Sequence, residues 1–137
     1  MKRRLFCLIL ILLSAIVTVI LVTLPPSDEK MKYKSNSIKY CSTVTQYYKK
    51  YGKYPDSLMK AYIGLWGDER NNMVEYKPLM ELGESIKFNN KGGWVYSPEN
   101  KYVQVNLNAY KDIKIEIHIT PEDMPKTVPK GTPVLQP

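Results

Sequence analysis

One histidine, two cysteines and a stretch crowded with lysine and tyrosine are where chemistry must be sought in this 137-residue chain. His118 stands alone in an alternating apolar segment. A solvent-facing strand position explains it better than a metal ligand or a general base. Cys7 lies inside a long apolar run and Cys41 well outside it, so the two cannot pair within one chain. Cys41 reads as a small buried residue, or else as an intermolecular crosslink in an oxidising compartment. The sequence has no zinc spacing, no nucleophile–base pair and no phosphate-binding loop. That argues against an enzyme, and it implies no cofactor, no metal and no small-molecule substrate.

The lysines are unevenly placed. From Lys30 to Lys53 there are seven lysines and no acidic residue, whereas from Tyr54 to Pro137 ten Lys and Arg face eleven Asp and Glu. Lys32, Lys39, Lys49, Lys50 and Lys53 are the candidates for holding a polyanion, either DNA or an anionic envelope polymer. Tyr33, Tyr40, Tyr47 and Tyr54 recur every seventh residue among them and could stack bases or sugars. The plainer reading is a wet helix face beside anionic lipid headgroups, worth about 1 kcal/mol per lysine. The tyrosines then form a packing edge whose hydroxyls reach water. The plainer reading is the stronger, and it argues against nucleic acid as a partner.

These residues must be positioned by three kinds of element. Leu5 to Leu24 are twenty positions without a charge, preceded by Met1-Lys2-Arg3-Arg4. A helix of that length spans about 30 Å, the thickness of a bilayer core. The basic cluster keeps the N-terminus cytoplasmic and places residues 25–137 on the far side of the membrane. A secretory signal has a shorter apolar region and a small-x-small cleavage site. Val22-Thr23-Leu24-Pro25-Pro26 offers no such site, so residues 1–24 read as a retained single-pass anchor. Ser14, Thr18 and Thr23 can bond to carbonyls of the preceding turn.

Residues 25–120 then form one external head. An amphipathic helix over 28–51 is predicted to start at Pro26-Ser27-Asp28 and to stop at Gly52, with Pro55 forbidding resumption. At 100° per residue, Ile38, Cys41, Val44, Thr45, Tyr48 and Tyr51 share the packed face, with Tyr33 and Tyr40 at its margin. Lys32, Lys39, Lys49 and Lys50 share the wet face with Ser35, Ser42, Thr43 and Gln46. A short helix capped by Asp56 or Ser57 covers 56–63, and 64–82 is loop-like with room for another short helix. Over 84–119 the period becomes two. Ile86 and Phe88, then Trp94-Val95-Tyr96, Val103 and Val105, and finally the isoleucines from Ile113 to Ile119 give three or four antiparallel strands. Ser97 to Lys101 is the hairpin turn, with Asn100 suited to a left-handed position. The fold class is α+β, a long helix on a three- to four-stranded sheet. In 121–137, proline at every fourth position predicts an extended tail, either a loose terminus or a docking spacer.

Two motifs in this order resemble the bacterial type IV pilin and type II secretion pseudopilin family. The first is the helix exit Tyr47-Tyr48-Lys49-Lys50-Tyr51-Gly52-Lys53-Tyr54-Pro55. The second is the strand Gly92-Gly93-Trp94-Val95-Tyr96-Ser97-Pro98. The resemblance covers about residues 5–110 and implies an inner-membrane stem with a periplasmic head. It implies partners among other pilin-like subunits or secretion-machine components. Under it, Gly52, Tyr54, Pro55, Gly92, Gly93, Trp94 and Tyr96 are scaffold residues. The family's leader glycine and stem glutamate have no counterpart at Lys2-Arg3-Arg4-Leu5-Phe6 or in the apolar run, so an accessory role stands beside that of a subunit. The acidic residues after Glu99 are too dispersed to carry over the family's calcium loop.

Overall fold

The computed structural model describes residues 1–23 and 27–124. Its first element, α1 (Lys2–Thr23), contains a segment, Lys2–Ile20, long and apolar enough to cross a membrane, and none of that segment is buried within the protein. Inside it the Thr18 hydroxyl donates to the Ser14 carbonyl at 2.8 Å, so the polar atom needs no external partner.

The second helix, α2 (Asp28–Tyr51), has the boundaries its sequence implies. The Ser27 hydroxyl accepts from the Lys30 amide, and Asp28 and Glu29 sit at the positive end of the dipole. Lys49 and Lys50 occupy the last turn. Gly52 then takes the left-handed conformation (φ 69°), and its N–H donates to the Tyr48 carbonyl at 2.7 Å.

After α2 come α3 (Leu58–Trp66), a 3-10 helix over Gly67–Asn72 and α4 (Tyr76–Leu82). The sheet holds β1 (Glu84–Ser85), β2 (Trp94–Ser97), β3 (Tyr102–Val105) and β4 (Lys114–Glu116) in that spatial order. It is mixed rather than wholly antiparallel. β2–β3 and β3–β4 are antiparallel, but β1 runs parallel to β2. Only two residues pair at β1, so the short stretch 86–93 can wrap back without a crossover helix. Ile86 and Phe88 alternate like a strand yet are 90% and 39% exposed and lie beyond the paired residues. In the hairpin, Lys101 and not Asn100 takes positive φ (56°). The Asn100 amide and side chain both donate to Ser97 Oγ, which holds Asn100 in the turn before that position.

The core forms where α2 meets both the sheet and α3. Tyr40, Val44, Leu58, Tyr62, Trp94, Val103 and Val105 are fully buried there. Each such apolar side chain contributes about 1.5–3 kcal/mol. The packed face of α2 is rotated from the one expected. Ser37, Tyr40, Cys41, Thr43, Val44 and Tyr47 are buried, whereas Ile38 (51%) and Tyr51 (43%) are exposed and Tyr48 is half-buried. The cause is α3, which packs on the flank expected to be wet. There it covers Tyr47 and Thr43, whose hydroxyl bonds back to the Lys39 carbonyl. The four isoleucines from Ile113 to Ile119 all face the core, and His118 between them is exposed.

Within the segment expected to be extended, Pro121–Asp123 instead forms a 3-10 turn. The later prolines lie outside the described residues. Asp123 is bonded to Lys49 at 2.7 Å and to the amide and hydroxyl of Thr120. The Lys49 contact and then the Thr120 bonds lower its pKa to about 2. A carboxyl depressed in the folded state stabilises the turn above its unfolded pKa, and that contribution vanishes as pH falls through the folded value. Hydrogen exchange should therefore show the Thr120 amide protected at pH 4 and open near pH 2. Asp123→Asn should open it at both.

Candidate functional site

The two motifs of the sequence meet in space. Pro55 is buried at the exit of α2, and its carbonyl accepts from the Tyr96 hydroxyl of β2 at 3.0 Å. Tyr54 is half-buried beside Tyr48 (ring centroids 4.9 Å), with Lys101 Nζ over its ring. At the other end of β2, Trp94 Nε1 donates to Ser37 Oγ at 3.1 Å, and that hydroxyl donates to the Tyr33 carbonyl. The Trp94 ring stands edge-on to Tyr40 at 4.9 Å and tilted against Tyr33 at 5.4 Å. Trp94 and Tyr96 thus clamp α2 along its length, while Val95 points to the opposite face of the sheet. Burial pushes the Tyr40 and Tyr96 hydroxyls well above the usual tyrosine range. The seven-residue tyrosine repeat is a packing edge.

Gly93 has positive φ (73°), and its carbonyl accepts from the Asn106 amide. Any Cβ there would run into the Gly83 carbonyl oxygen and lie 2.7 Å from that of Leu82. Gly92 has φ 95° and donates its N–H to the Asn106 carbonyl. The buried Asn106 side chain organises the whole 85–93 segment. Its Oδ1 accepts from the amides of Asn89 and Asn90, and its Nδ2 donates to Ser85, Asn89 and Gly92. A second such residue is Glu84, whose carboxylate accepts from the Leu58 and Met59 amides at 2.8 and 3.2 Å and so caps α3. Neither stands out in the sequence, because their partners lie 14 to 26 residues away. An asparagine directly after a valine strand was the one available signal.

No known protein family, curated protein or solved structure matches the chain.

The lysines do not form one open ridge. Lys39 pairs with Glu75 at 3.7 Å, Lys49 with Asp123, and Lys50 donates to the Gly64 carbonyl. Lys32 has no ion-pair partner among the described residues and borders a groove of about 450 Å³ with Tyr33, Asn36, Val74 and Pro78. Lys53 follows the Gly52 cap and is exposed. Cys41 is buried, its Sγ 3.8 Å from the Ile115 carbonyl, and burial pushes its pKa up to about 12. Among the described residues, no three of His, Cys, Asp and Glu gather to hold a metal. Among the described residues two kinds of surface are exposed, the stem from Lys2 to Ile20 and the rim of the head.

Proposed function

We propose that this chain is a single-pass, pilin-like structural or accessory subunit of a bacterial secretion or pilus machine. In this reading it is anchored in the inner membrane with its N-terminus cytoplasmic and its head periplasmic. The supporting observation is the succession of elements. An apolar helix unburied from Lys2 to Ile20 is followed, after four intervening residues, by an amphipathic helix that forms the spine of an α+β head. An apolar helix with nothing packed on it requires lipid or the apolar stems of other subunits. Lys2, Arg3 and Arg4 supply the orientation. The alternative, a tethered periplasmic module holding DNA or an anionic envelope polymer, has weaker support, because Lys39, Lys49 and Lys50 already have partners within the head.

The stem carries no carboxylate between Leu5 and Leu24. A buried charge that must meet a partner sets register during assembly, and this stem lacks one. The accessory role follows. Cell fractionation tests it. The protein should stay with the membrane, absent from sheared surface filaments, and should co-purify with pilin-like stems after crosslinking. Recovery at stoichiometric level along purified filaments would replace the accessory role by that of an ordinary subunit. Recovery of a soluble form starting near Pro25 would remove the anchor.

A further inference from the structure

We propose that the end of the head nearest α1 is a membrane-docking surface, with Ile86 and Phe88 seated among the headgroups of an anionic bilayer and Lys87 and Lys91 on lipid phosphates. This rests on the reading of α1 as a membrane anchor. Asp28 is five residues beyond Thr23, so covalent geometry keeps the first turn of α2 within about 18 Å of the end of α1. The 86–91 segment belongs to that same end. Tyr110 donates to Glu29 at 2.8 Å and Lys30 pairs with Asp112 at 2.9 Å, which fixes 108–112 beside the first turn. The Asn108 amide donates to Asn90 Oδ1 at 2.7 Å, which brings the 86–91 segment alongside. The opposite end holds the 97–101 hairpin, where Tyr96 meets Pro55 and Lys101 meets Tyr54.

The exposure is unusual for a surface in water. Ile86 is 90% exposed and Phe88 39%, with Leu82 (47%) and Val74 (74%) on the neighbouring helical side. Interleaved lysines and apolar side chains suit the headgroup layer, where ammonium groups meet phosphates and apolar tips enter the acyl boundary. Of the acidic groups at this end, Asp112 is paired with Lys30, Glu29 accepts from the Tyr110 hydroxyl and keeps its charge, and Asp28 has no ion-pair partner among the described residues. Asn106 holds the segment in one shape, so little ordering is lost on contact.

Site-directed spin labelling of the full chain tests this. Cys7→Ser removes the one exposed thiol, and Cys41 is buried. Labels are placed singly at Ile86→Cys, at Leu12→Cys and at Asn100→Cys, in vesicles of phosphatidylcholine mixed with phosphatidylglycerol. The label at 86 should collide with oxygen, relative to a water-soluble nickel chelate, several-fold more than the label at 100. The difference should shrink in pure phosphatidylcholine, and an unchanged ratio there would overturn the role of the lysines. A label at 86 as aqueous as that at 100, with residue 12 in the bilayer, would overturn the docking and leave the anchor standing. An aqueous residue 12 would overturn the anchor itself. Shielding at 86 that fades as the protein is diluted with lipid would mean a second copy covers this surface, which also overturns the proposal.

Discussion

Val44→Asp should unfold the head, whereas Lys39→Asp should leave it folded. Val44 is fully buried in an apolar and aromatic cluster built by α2, α3 and the sheet. Burying an unpaired charge costs several kcal/mol even after relaxation, a large share of the about 5–15 kcal/mol that holds a domain together. Lys39 is half-exposed and pairs with Glu75 at 3.7 Å, a contact worth about 0–1 kcal/mol. Its reversal adds a modest repulsion and nothing buried. In a Trp66→Phe background, the fluorescence of Trp94, which is wholly shielded in the folded head, reports the outcome. A red shift for both variants, or for neither, would show that the packed face of α2 has been misread.

Gly93→Ala should be nearly as damaging, although it adds a single methyl group. Two costs coincide there. The backbone sits at φ 73°, where an L side chain is strained by about 1–2 kcal/mol. The new Cβ would also meet the backbone carbonyls of Gly83 and Leu82, which cannot swing aside as a side chain would. Gly83 also accepts the Trp94 amide, so relieving the clash pulls β2 away from its neighbour. Thermal unfolding of the full chain should show a loss of at least about 3 kcal/mol, within the range for clashes at special backbone positions. Gly92→Ala separates the two costs, since φ is 95° there but nothing lies within contact of an added Cβ. It should be clearly milder. Equal losses at 92 and 93 would show that the close approach to Gly83 is not what matters.

Local signals are legible in the sequence. Ser27, Gly52 and Pro55 act within a turn of where they stand, so both ends of α2 were legible. The isoleucine alternation from 113 to 119 likewise encodes its own face. The 64–82 stretch was harder. Gly64, Gly67, Asn71, Asn72 and Pro78 look like breakers, yet α3 runs through Gly64 and α4 contains Pro78. Pro78 falls in the first turn of α4, where a missing N–H costs nothing. Gly64 faces Tyr47, which leaves no room for a side chain larger than hydrogen without a shift. The helix expected over 56–63 stops short of that stretch, so the flank of α2 that α3 covers reads as wet from the sequence alone. Tyr40, which the helical period alone puts at the margin, is thereby a core residue, and Tyr47 joins it. The hubs at Asn106 and Glu84 depend on long-range partners, and no periodicity encodes those.

The sealed thiol of Cys41 gives each copy of this protein a record of its own history. In the folded head, burial and a raised pKa keep the sulfur both out of reach and protonated. Only a chain whose sheet has parted from α2 presents a thiolate to an oxidant. In an oxidising compartment, a covalent dimer through Cys41 would therefore mark molecules that failed to close or later came open, and its abundance would measure how securely the head is folded in the cell.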